Sequence, residues 1–323
     1  MLSHISHFAG IADRHRELKW TEYRGWTALS MRQGELELTV VPVIGGRLMS
    51  IRHEGVELAY INDALAGRVP DWSGSQWQTL CGEWDFPLWG GSKTWVAPEA
   101  DWPGGAPQRD LDSGPYEVVS TWFESRSMGI ELLSAVCRQS GLQIRRRIVL
   151  SARDGAWTTS HELRNRGERA RQCAIWDVLM LRRPGKVEVA IGSEGDWRDS
   201  VTPFPEKGPL GDIRESAFVT GSTGLVTTQC VEAVEFKLGV KNSPGVIHVE
   251  FDVPEGKHRL RRRFPVFAEA RYAHGTPLEV FNAPRLPYFE IESHGPLVVL
   301  QPGESATLSV EEAVAGGAAQ LPD

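Results

Sequence analysis

The strongest constraint on the fold comes from a series of short alternating segments separated by turn residues. In each segment polar and apolar residues alternate, as they do in a strand that buries one face. Separators such as QSG and ARDG stand between them. The segments begin at Tyr116, Met128, Leu142, Trp157 and Arg171. A spacing of roughly twelve residues predicts an antiparallel meander.

The same pattern extends over most of the chain. It begins near Thr27, includes ELELTVVPV from Glu35, and resumes after Gly211 as far as Ser305. We count roughly seventeen or eighteen candidate strands and almost no helix. No internal repeat of the length found in propellers or solenoids is visible. The sequence therefore predicts an all-β protein built as a large antiparallel β-sandwich.

The composition indicates how the chain is divided. No shift in composition marks a linker, so we predict a single domain over residues 1–323. Residues 1–20 are interpreted as an N-terminal extension, with a short, highly charged helix over residues 10–20. Residues 313–323 are small and featureless, and we expect them to fray.

The charge of the chain bears on its partners. The formal net charge is −7, which argues against nucleic acid or an anionic membrane as a partner. Two arginine triplets, at 145–147 and 261–263, are local exceptions. In a strand, Arg146 points to one face and its two neighbours to the other. We expect such arginines to be solvated or salt-bridged rather than to bind phosphate.

The cysteines and the N-terminus indicate the compartment. Cys81, Cys137, Cys173 and Cys230 lie far apart with no CxxC pair, which argues against a zinc knuckle or a thioredoxin-type centre. Buried free thiols are typical of a reducing compartment. The sequence has neither the apolar core of a signal peptide nor an apolar run of about eighteen residues. We therefore expect a cytoplasmic protein, unless a leader has been removed.

One stretch departs from the strand pattern, the segment from Leu80 to Trp102. With its flanks, about residues 63 to 115, it is long for a connection inside a domain. Together with Trp72 and Trp77 it contains six of the twelve tryptophans of the chain. Its apolar residues follow neither a helical nor a strand period. Either the indoles fix a long loop to the body of the fold, or they line a ligand cleft.

The residue types in this stretch suit a sugar. The flat CH faces of a pyranose stack on indole rings, while hydroxyl groups bond to carboxylate and ammonium groups. Arg47, after Gly45–Gly46, could contact a sugar hydroxyl or pair with a buried carboxylate. The candidate substrate-binding residues are Arg47, Lys93, Trp95, Glu99, Trp102 and Trp176.

Two carboxylates near the C-terminus are candidates for acid–base chemistry. Glu290 and Glu292 are two residues apart in the segment LPYFEIESHGP, so in a strand they share one face. On a partly dry face they would repel each other, which raises one pKa toward a range useful for proton transfer. The alternative is an acidic, solvent-facing strand.

Two further groups complete the catalytic candidates, His161 and Asp177. His161 lies in HELRN, where a lone histidine suits a hydrogen-bonded structural role or catalysis. Asp177 lies in the apolar segment AIWDVLML, where an unpaired carboxylate is costly, so it requires a partner or a function. No pattern for a metal site or a nucleotide cofactor occurs, and we predict neither metal nor cofactor.

Taken in order, four segments resemble the galactose mutarotase-like superfamily, which includes the aldose 1-epimerases. They are VIGGRLMSI, LWGGSKTWVAPEADW, TSHELRNRGERARQCAIWDVLML and YFEIESHGPLVVLQPGES. More narrowly, the chain resembles a bacterial branch of that superfamily known by a domain-of-unknown-function label. The resemblance covers nearly the whole chain. It implies a supersandwich with a concave face that accommodates a carbohydrate.

The resemblance also implies roles for residues. In active epimerases a glutamate removes the proton of the anomeric hydroxyl and a histidine protonates the ring oxygen. The glutamate corresponds best to Glu292, with Glu290 as the alternate. The histidine would fall near Trp176 and Asp177, where this sequence has none. Asp177 or His161 would then be the acid, or the cleft has kept binding and lost the reaction.

Three functions follow from these observations. The first is a mutarotase-like enzyme that interconverts sugar anomers, and the second is a carbohydrate-binding protein without catalysis. The third is a structural protein that uses the tryptophan-rich stretch as an oligomer interface, since clustered Trp and Arg also mark interfaces. The oligomeric state and the identity of the sugar remain open.

Overall fold

The structure is a computed structural model that describes residues 11–13, 15–70, 74–151, 155–192, 195–204, 212–254, 256–283, 285–317 and 319–321. Its first sheet has thirteen strands in this described part. The main path runs, in spatial order, through β1 (Ile11–Asp13), β2 (Arg16–Tyr23), β3 (Trp26–Gln33), β4 (Leu36–Val41), β5 (Arg47–His53), β7 (Ser92–Ala97), β12 (Arg171–Arg182), β21 (Tyr288–His294), β20 (Leu278–Asn282), β17 (Phe236–Val240) and β14 (Val201–Pro203). Off this path, β6 (Val56–Glu57) pairs with β5 and β22 (Val298–Leu300) pairs with β12.

The second sheet has ten described strands. In spatial order they are β15 (Val219–Ser222), β16 (Leu225–Cys230), β13 (Gly185–Ala190), β18 (Val246–Val253), β19 (Gly256–Arg263), β23 (Ser305–Gly316), β11 (Ala156–Asn165), β10 (Leu142–Ser151), β9 (Ser127–Leu133) and β8 (Glu117–Phe123). Neighbouring strands are antiparallel in both sheets. The predicted all-β antiparallel sandwich is confirmed.

Helix is scarce, as predicted. Two short α-helices are described, α1 (Gly74–Cys81) and α2 (Arg109–Asp112). Single 3-10 turns lie at Asp63–Leu65, Glu99–Asp101, Pro103–Gly105, Trp197–Ser200 and Ile213–Glu215. No helix in the described ranges is long and apolar enough to cross a membrane.

The strand predictions hold best in the meander. The five segments from Tyr116 to Leu181 are found as β8 to β12, with bounds within a few residues of the expected ones. Upstream, ELELTVVPV contains β4, and the segment from Arg47 is β5. That the whole chain forms one domain remains a prediction.

Both ends of the chain depart from expectation. The helix predicted over residues 10–20 is wrong, because β1 and β2 occupy this region and form the edge of the first sheet. In β2, Arg16 and Leu18 are buried while Lys19 is exposed. The expected frayed tail also needs correction, since Ala313 to Gly316 continue β23 and pair with β19. Residues 1–10 lie outside the described part.

An apolar core lies between the sheets and is supplied by alternate residues of each strand. From β12, Ile175, Leu179 and Leu181 belong to this core. Trp176 and Met180 belong to a second cluster on the opposite face of the same strand. The first sheet is thus buried on both faces at β12.

A network of ionisable side chains also lies between the sheets. Asp177 of β12 lies 2.8 Å from Arg262 of β19, and Arg262 lies 2.6 Å from Glu312 of β23. His161 of β11 lies 3.3 Å from Asp177 and 2.8 Å from the hydroxyl of Thr94 in β7. The network therefore connects the two sheets. Burial lowers the pKa of His161 to about 4, so its ring is neutral at pH 7.

The arginine triplets match the prediction only in part, because Arg146 is neither solvated nor salt-bridged to a described residue. Arg146 is fully buried and donates to the carbonyl oxygens of Gly46 and Ser92. On the opposite face, Arg145 pairs with Glu131. In the second triplet Arg262 is the buried member. None of these arginines needs a phosphate partner.

A second buried ion pair anchors the tryptophan-rich stretch. The carboxylate of Asp112 in α2 accepts hydrogen bonds from Arg47 at 2.7 Å and from the indole of Trp95 at 2.7 Å. Arg47 also donates to the carbonyl of Gly90. A methyl group on Gly45 would lie 1.9 Å from the backbone oxygen of Asp112. The glycine thus permits the close approach of α2 to this turn.

We expect His161→Gln to flatten the pH dependence of stability. The unfolded chain protonates a histidine near its ordinary pKa of about 6.5, whereas the folded protein resists protonation down to a pKa of about 4. Between pH 7 and pH 4 this difference in pKa lowers the free energy of unfolding of the wild-type protein by about 3 kcal/mol. Denaturant unfolding at several pH values measures the difference. An equal slope in wild type and His161→Gln would contradict the assignment.

We expect Asp112→Asn to destabilise the fold by about 3–5 kcal/mol, because it leaves the buried charge of Arg47 without a counter-charge. Asp110→Asn, in the same helix, is the matched control. Asp110 pairs with the exposed Arg138 at 3.0 Å, and such a surface pair contributes about 1 kcal/mol or less. Denaturant unfolding of both variants makes the comparison. Equal losses of stability would show that the buried pair has no special role.

Candidate functional site

A cavity of about 200 Å³ lies on the face of the first sheet that points away from the second sheet. The tryptophan-rich stretch covers this face where β7, β12, β21, β20 and β17 run side by side. The aromatic lining residues are Trp84, Phe86, Trp95, Trp102, Trp176, Phe281 and Tyr288. The charged lining residues are Glu83, Asp85, Glu99, Lys237 and Glu290.

Three indoles form one wall of the cavity. Trp95 packs edge-on against Trp102 and against Trp176, with 5.0 Å between ring centroids in each pair. Trp102 and Trp176 lie nearly parallel at 5.7 Å. The indole N–H of Trp102 donates to the carbonyl of Val96 at 2.7 Å, which fixes that ring. All three side chains are largely buried, so the wall is preformed.

The tryptophan-rich stretch thus has two roles. Trp89 is fully buried, packs against Trp26 and donates to Ser113, so it fixes the segment to the fold. Trp95 and Trp102 face the cavity instead. The first interpretation holds for Trp89, while Trp95 and Trp102 line a cavity whose use as a ligand cleft stays a prediction. Trp72 lies outside the described residues.

Glu290 and Glu292 share one face of β21, as their spacing predicts. Only Glu290 lines the cavity, and its nearest cation is Lys93 at 3.6 Å. Glu292 is fully buried beneath the indole of Trp176, which donates to its Oε2 at 2.7 Å. The carboxylate that a ligand can reach is therefore Glu290, the alternate of the sequence prediction.

Lys237 of β17 is a site residue that the sequence reasoning missed. Its ammonium lies 2.7 Å from Glu279 and 3.2 Å from Glu292, and it sits 4.8 Å above the ring of Trp176. Burial lowers the pKa of Lys237, but the charges of Glu292 and Glu279 outweigh this effect and raise it. Lys237 is therefore a permanent cation on the cavity wall.

The pKa values of the two carboxyl groups next to Lys237 are shifted in opposite directions. Burial raises the pKa of Glu279, but Lys237 and His294 outweigh this and hold it well below the ordinary value, so Glu279 is ionised. Burial raises the pKa of Glu292 well above the ordinary value, and Lys237 only partly offsets this because Glu279 and Glu290 add repulsion. Glu292 therefore holds a proton up to a higher pH than an ordinary glutamate does.

Two histidines missed by the sequence reasoning also lie near Trp176. His274 and His294 contact one oxygen of Glu279 at 2.9 and 3.2 Å, and their rings pack against the indole of Trp176. The three ligand atoms lie within 4.8 Å of one another. They could hold a metal, but the ammonium of Lys237 already pairs with Glu279 and would repel one.

The two proposed acids lie elsewhere, and this is a correction to the sequence analysis. Asp177 follows Trp176 in β12, so its side chain points to the opposite face, into the network between the sheets. His161 lies in the second sheet and meets Asp177 there. The sheet separates both groups from the cavity that Glu290 lines. Their geometry is that of a structural network.

The remaining sequence candidates divide into two sets. Trp95, Glu99, Trp102 and Trp176 line the cavity. Arg47 is buried and pairs with Asp112 instead of contacting a ligand. Lys93 is buried behind the wall, 3.5 Å from the centre of the Trp95 ring, and burial lowers its pKa to about 8.

Comparison with known proteins shows which known fold this structure shares. No protein-family model matches the sequence, and no curated protein matches it. A galactose mutarotase-like protein from Clostridium acetobutylicum is similar in structure, with a TM-score of 0.57 and 11% identity over 94% of this chain and 100% of that one. A candidate aldose 1-epimerase from Klebsiella pneumoniae has a TM-score of 0.59 and 13% identity over 94% of this chain and 84% of that one.

A third similar structure, a galactose mutarotase-like protein from Lactobacillus casei, has a TM-score of 0.54 and 8% identity, over 89% of this chain and 100% of that one. These identities are too low to carry a function across, but the shared architecture spans nearly the whole chain. With its two large antiparallel sheets, this chain has the galactose mutarotase-like fold.

Proposed function

We propose that the protein binds a carbohydrate in the cavity between the tryptophan-rich stretch and the first sheet. The observation that carries the proposal is the combination of a wall of three indoles with Glu290 and Lys237 beside it. Indole faces stack on the CH face of a sugar ring. A carboxylate accepts hydrogen bonds from sugar hydroxyls and an ammonium donates to them.

The size of the cavity favours a single sugar unit. Its volume of about 200 Å³ is below the roughly 300–1,000 Å³ typical of pockets for drug-sized ligands. A longer oligosaccharide would extend beyond the indole wall. The exposed side chains of Glu83 and Asp85 at the cavity border would contact such an extension.

The charge of the lining favours a neutral sugar. Four carboxylates line the cavity, those of Glu83, Asp85, Glu99 and Glu290, against the single ammonium of Lys237. A phosphate or uronate group would meet more repulsion than attraction, and Lys237 is already paired with Glu279 and Glu292. The proposed ligand is therefore an uncharged aldose or a terminal residue of a neutral glycan.

We expect Glu290→Gln to weaken sugar binding by about tenfold or more, since it removes a charged hydrogen-bond acceptor from the cavity wall. Trp84→Ala should weaken it as well, because it removes one aromatic wall of the cavity. Trp84 is only half-buried, so this change should not unfold the protein. Titration of a panel of neutral aldoses, followed by tryptophan fluorescence and by calorimetry, measures both effects.

Matched controls lie on the second sheet. Glu131→Gln removes a carboxylate that pairs with Arg145, and Trp122→Ala removes an indole that stacks on Arg147. Neither residue lines the cavity, so both variants should bind sugar like wild type. Binding that is equal in all four variants would exclude the cavity as the sugar site.

A second candidate function is the interconversion of sugar anomers, favoured by the position of Glu290 on the cavity wall. Its carboxylate could take the proton of an anomeric hydroxyl. A partner must then protonate the ring oxygen, and Lys237 is a poor donor because its pKa is raised. Binding without catalysis therefore agrees better with the described residues.

Saturation-transfer NMR between α and β anomers separates the two functions. We expect no acceleration by wild type above the rate of free sugar, at protein concentrations that saturate binding. If acceleration is observed, loss in Glu290→Gln of about 10²-fold or more would assign the base. Acceleration that persists in Glu290→Gln and disappears in Glu292→Gln would instead favour the buried carboxylate.

A further inference from the structure

A second group of side chains, separate from the three indoles of the cavity wall, has the composition of a metal site. It consists of His53, Glu54 and His258, whose ligand atoms all lie within 4.8 Å of one another. His53 ends β5 and Glu54 begins the turn to β6 in the first sheet, whereas His258 belongs to β19 in the second sheet. The group therefore spans both sheets at one end of the sandwich.

The environment of His258 indicates that it binds a ligand. It is 3% exposed, and neither of its ring nitrogens has a hydrogen-bond partner in the described part of the chain. Buried polar groups are nearly always satisfied, so an orphaned imidazole points to a water or an ion. Its Nε2 lies 3.7 Å from Oε2 of Glu54, beyond hydrogen-bond distance.

The backbone conformation and the packing of Glu54 direct its carboxylate toward His258. Glu54 has a φ of 51°, a left-handed conformation that glutamate adopts rarely, in a two-residue turn completed by Gly55. A methyl group on Gly316 would lie 2.0 Å from Oε2 of Glu54. Because residue 316 is glycine, the carboxylate can lie against the end of β23, beside His258.

We propose that His53, Glu54 and His258 bind a divalent transition-metal ion of the zinc class, which connects the two sheets. Two imidazoles and one carboxylate form a donor set that zinc accepts, with a fourth position left for water. Tetrahedral ligation places ligand atoms about 3.4 Å apart. The separations require only a small inward movement, and the half-exposed side chain of Glu54 can supply it. The proposal is independent of sugar binding.

Zinc binding to chelator-treated protein tests the proposal, measured by competition with a chromogenic zinc indicator and by the visible absorption of Co²⁺. We expect one ion per chain. Glu54→Gln and His258→Gln should each weaken affinity by at least tenfold, and Gly316→Ala should weaken it too because its methyl group displaces the carboxylate. Glu54 is exposed, so Glu54→Gln should fold even if His258→Gln does not.

His274→Gln is the matched control, since it disrupts the other group of two histidines and a glutamate. It should leave zinc affinity unchanged. Zinc should also raise the thermal unfolding temperature of wild type but not of Glu54→Gln, because an ion that binds only the folded chain stabilises it. The proposal is overturned if wild type binds no zinc, if affinity is unchanged in Glu54→Gln, or if it is lost in His274→Gln.

Discussion

The ion pair of Asp177 with Arg262 determines which way the central strand of the first sheet faces. β12 is buried on both faces along most of its length, so hydrophobicity alone does not decide its orientation. A buried aspartate without a cation would be strongly destabilising, and the available cation, Arg262, comes from the second sheet. With Asp177 fixed toward the interior, Trp176 must point to the outer face, because neighbouring residues of a strand alternate. A shift of one residue would exchange the two faces.

The register of β12 then assembles the cavity. Trp176 lies opposite Trp95 of β7 and opposite His294 of β21, and two residues later Val178 lies opposite Glu292. The next strand places Glu279 opposite Glu292.

Carboxylates from these two strands are thereby brought together on a face that Trp176 shields from water. Lys237 from a third strand pairs with both carboxylates, and the pKa of Glu279 is lowered while burial raises that of Glu292. The cavity wall is therefore a consequence of strand pairing rather than of any one motif.

The sequence predicts the parts of this arrangement that depend on local periodicity. The alternation in β21 correctly places Glu290 and Glu292 on one face, and some of the tryptophans in the stretch from Leu80 line a cavity. It does not reveal Lys237, which lies in an ordinary-looking strand more than fifty residues before Glu290 and joins the site only through sheet pairing. The assignment of His161 to the cavity fails for a related reason. Alternation shows that residues share a face, but not which face meets the partner sheet.

The electrostatics of the cavity bear on whether it can do more than bind. Anomer interconversion needs one group that takes a proton and another that donates one at neutral pH. On this side of the sheet, burial lowers the pKa of Lys93 to about 8. It lies behind Trp95, with its charge directed at Glu290. Lys237 lines the cavity beside Glu290, but its raised pKa makes it a poor proton donor. Glu290 as an acceptor and Lys237 as a permanent cation therefore support the proposed binding of a sugar better than acid catalysis by Lys237.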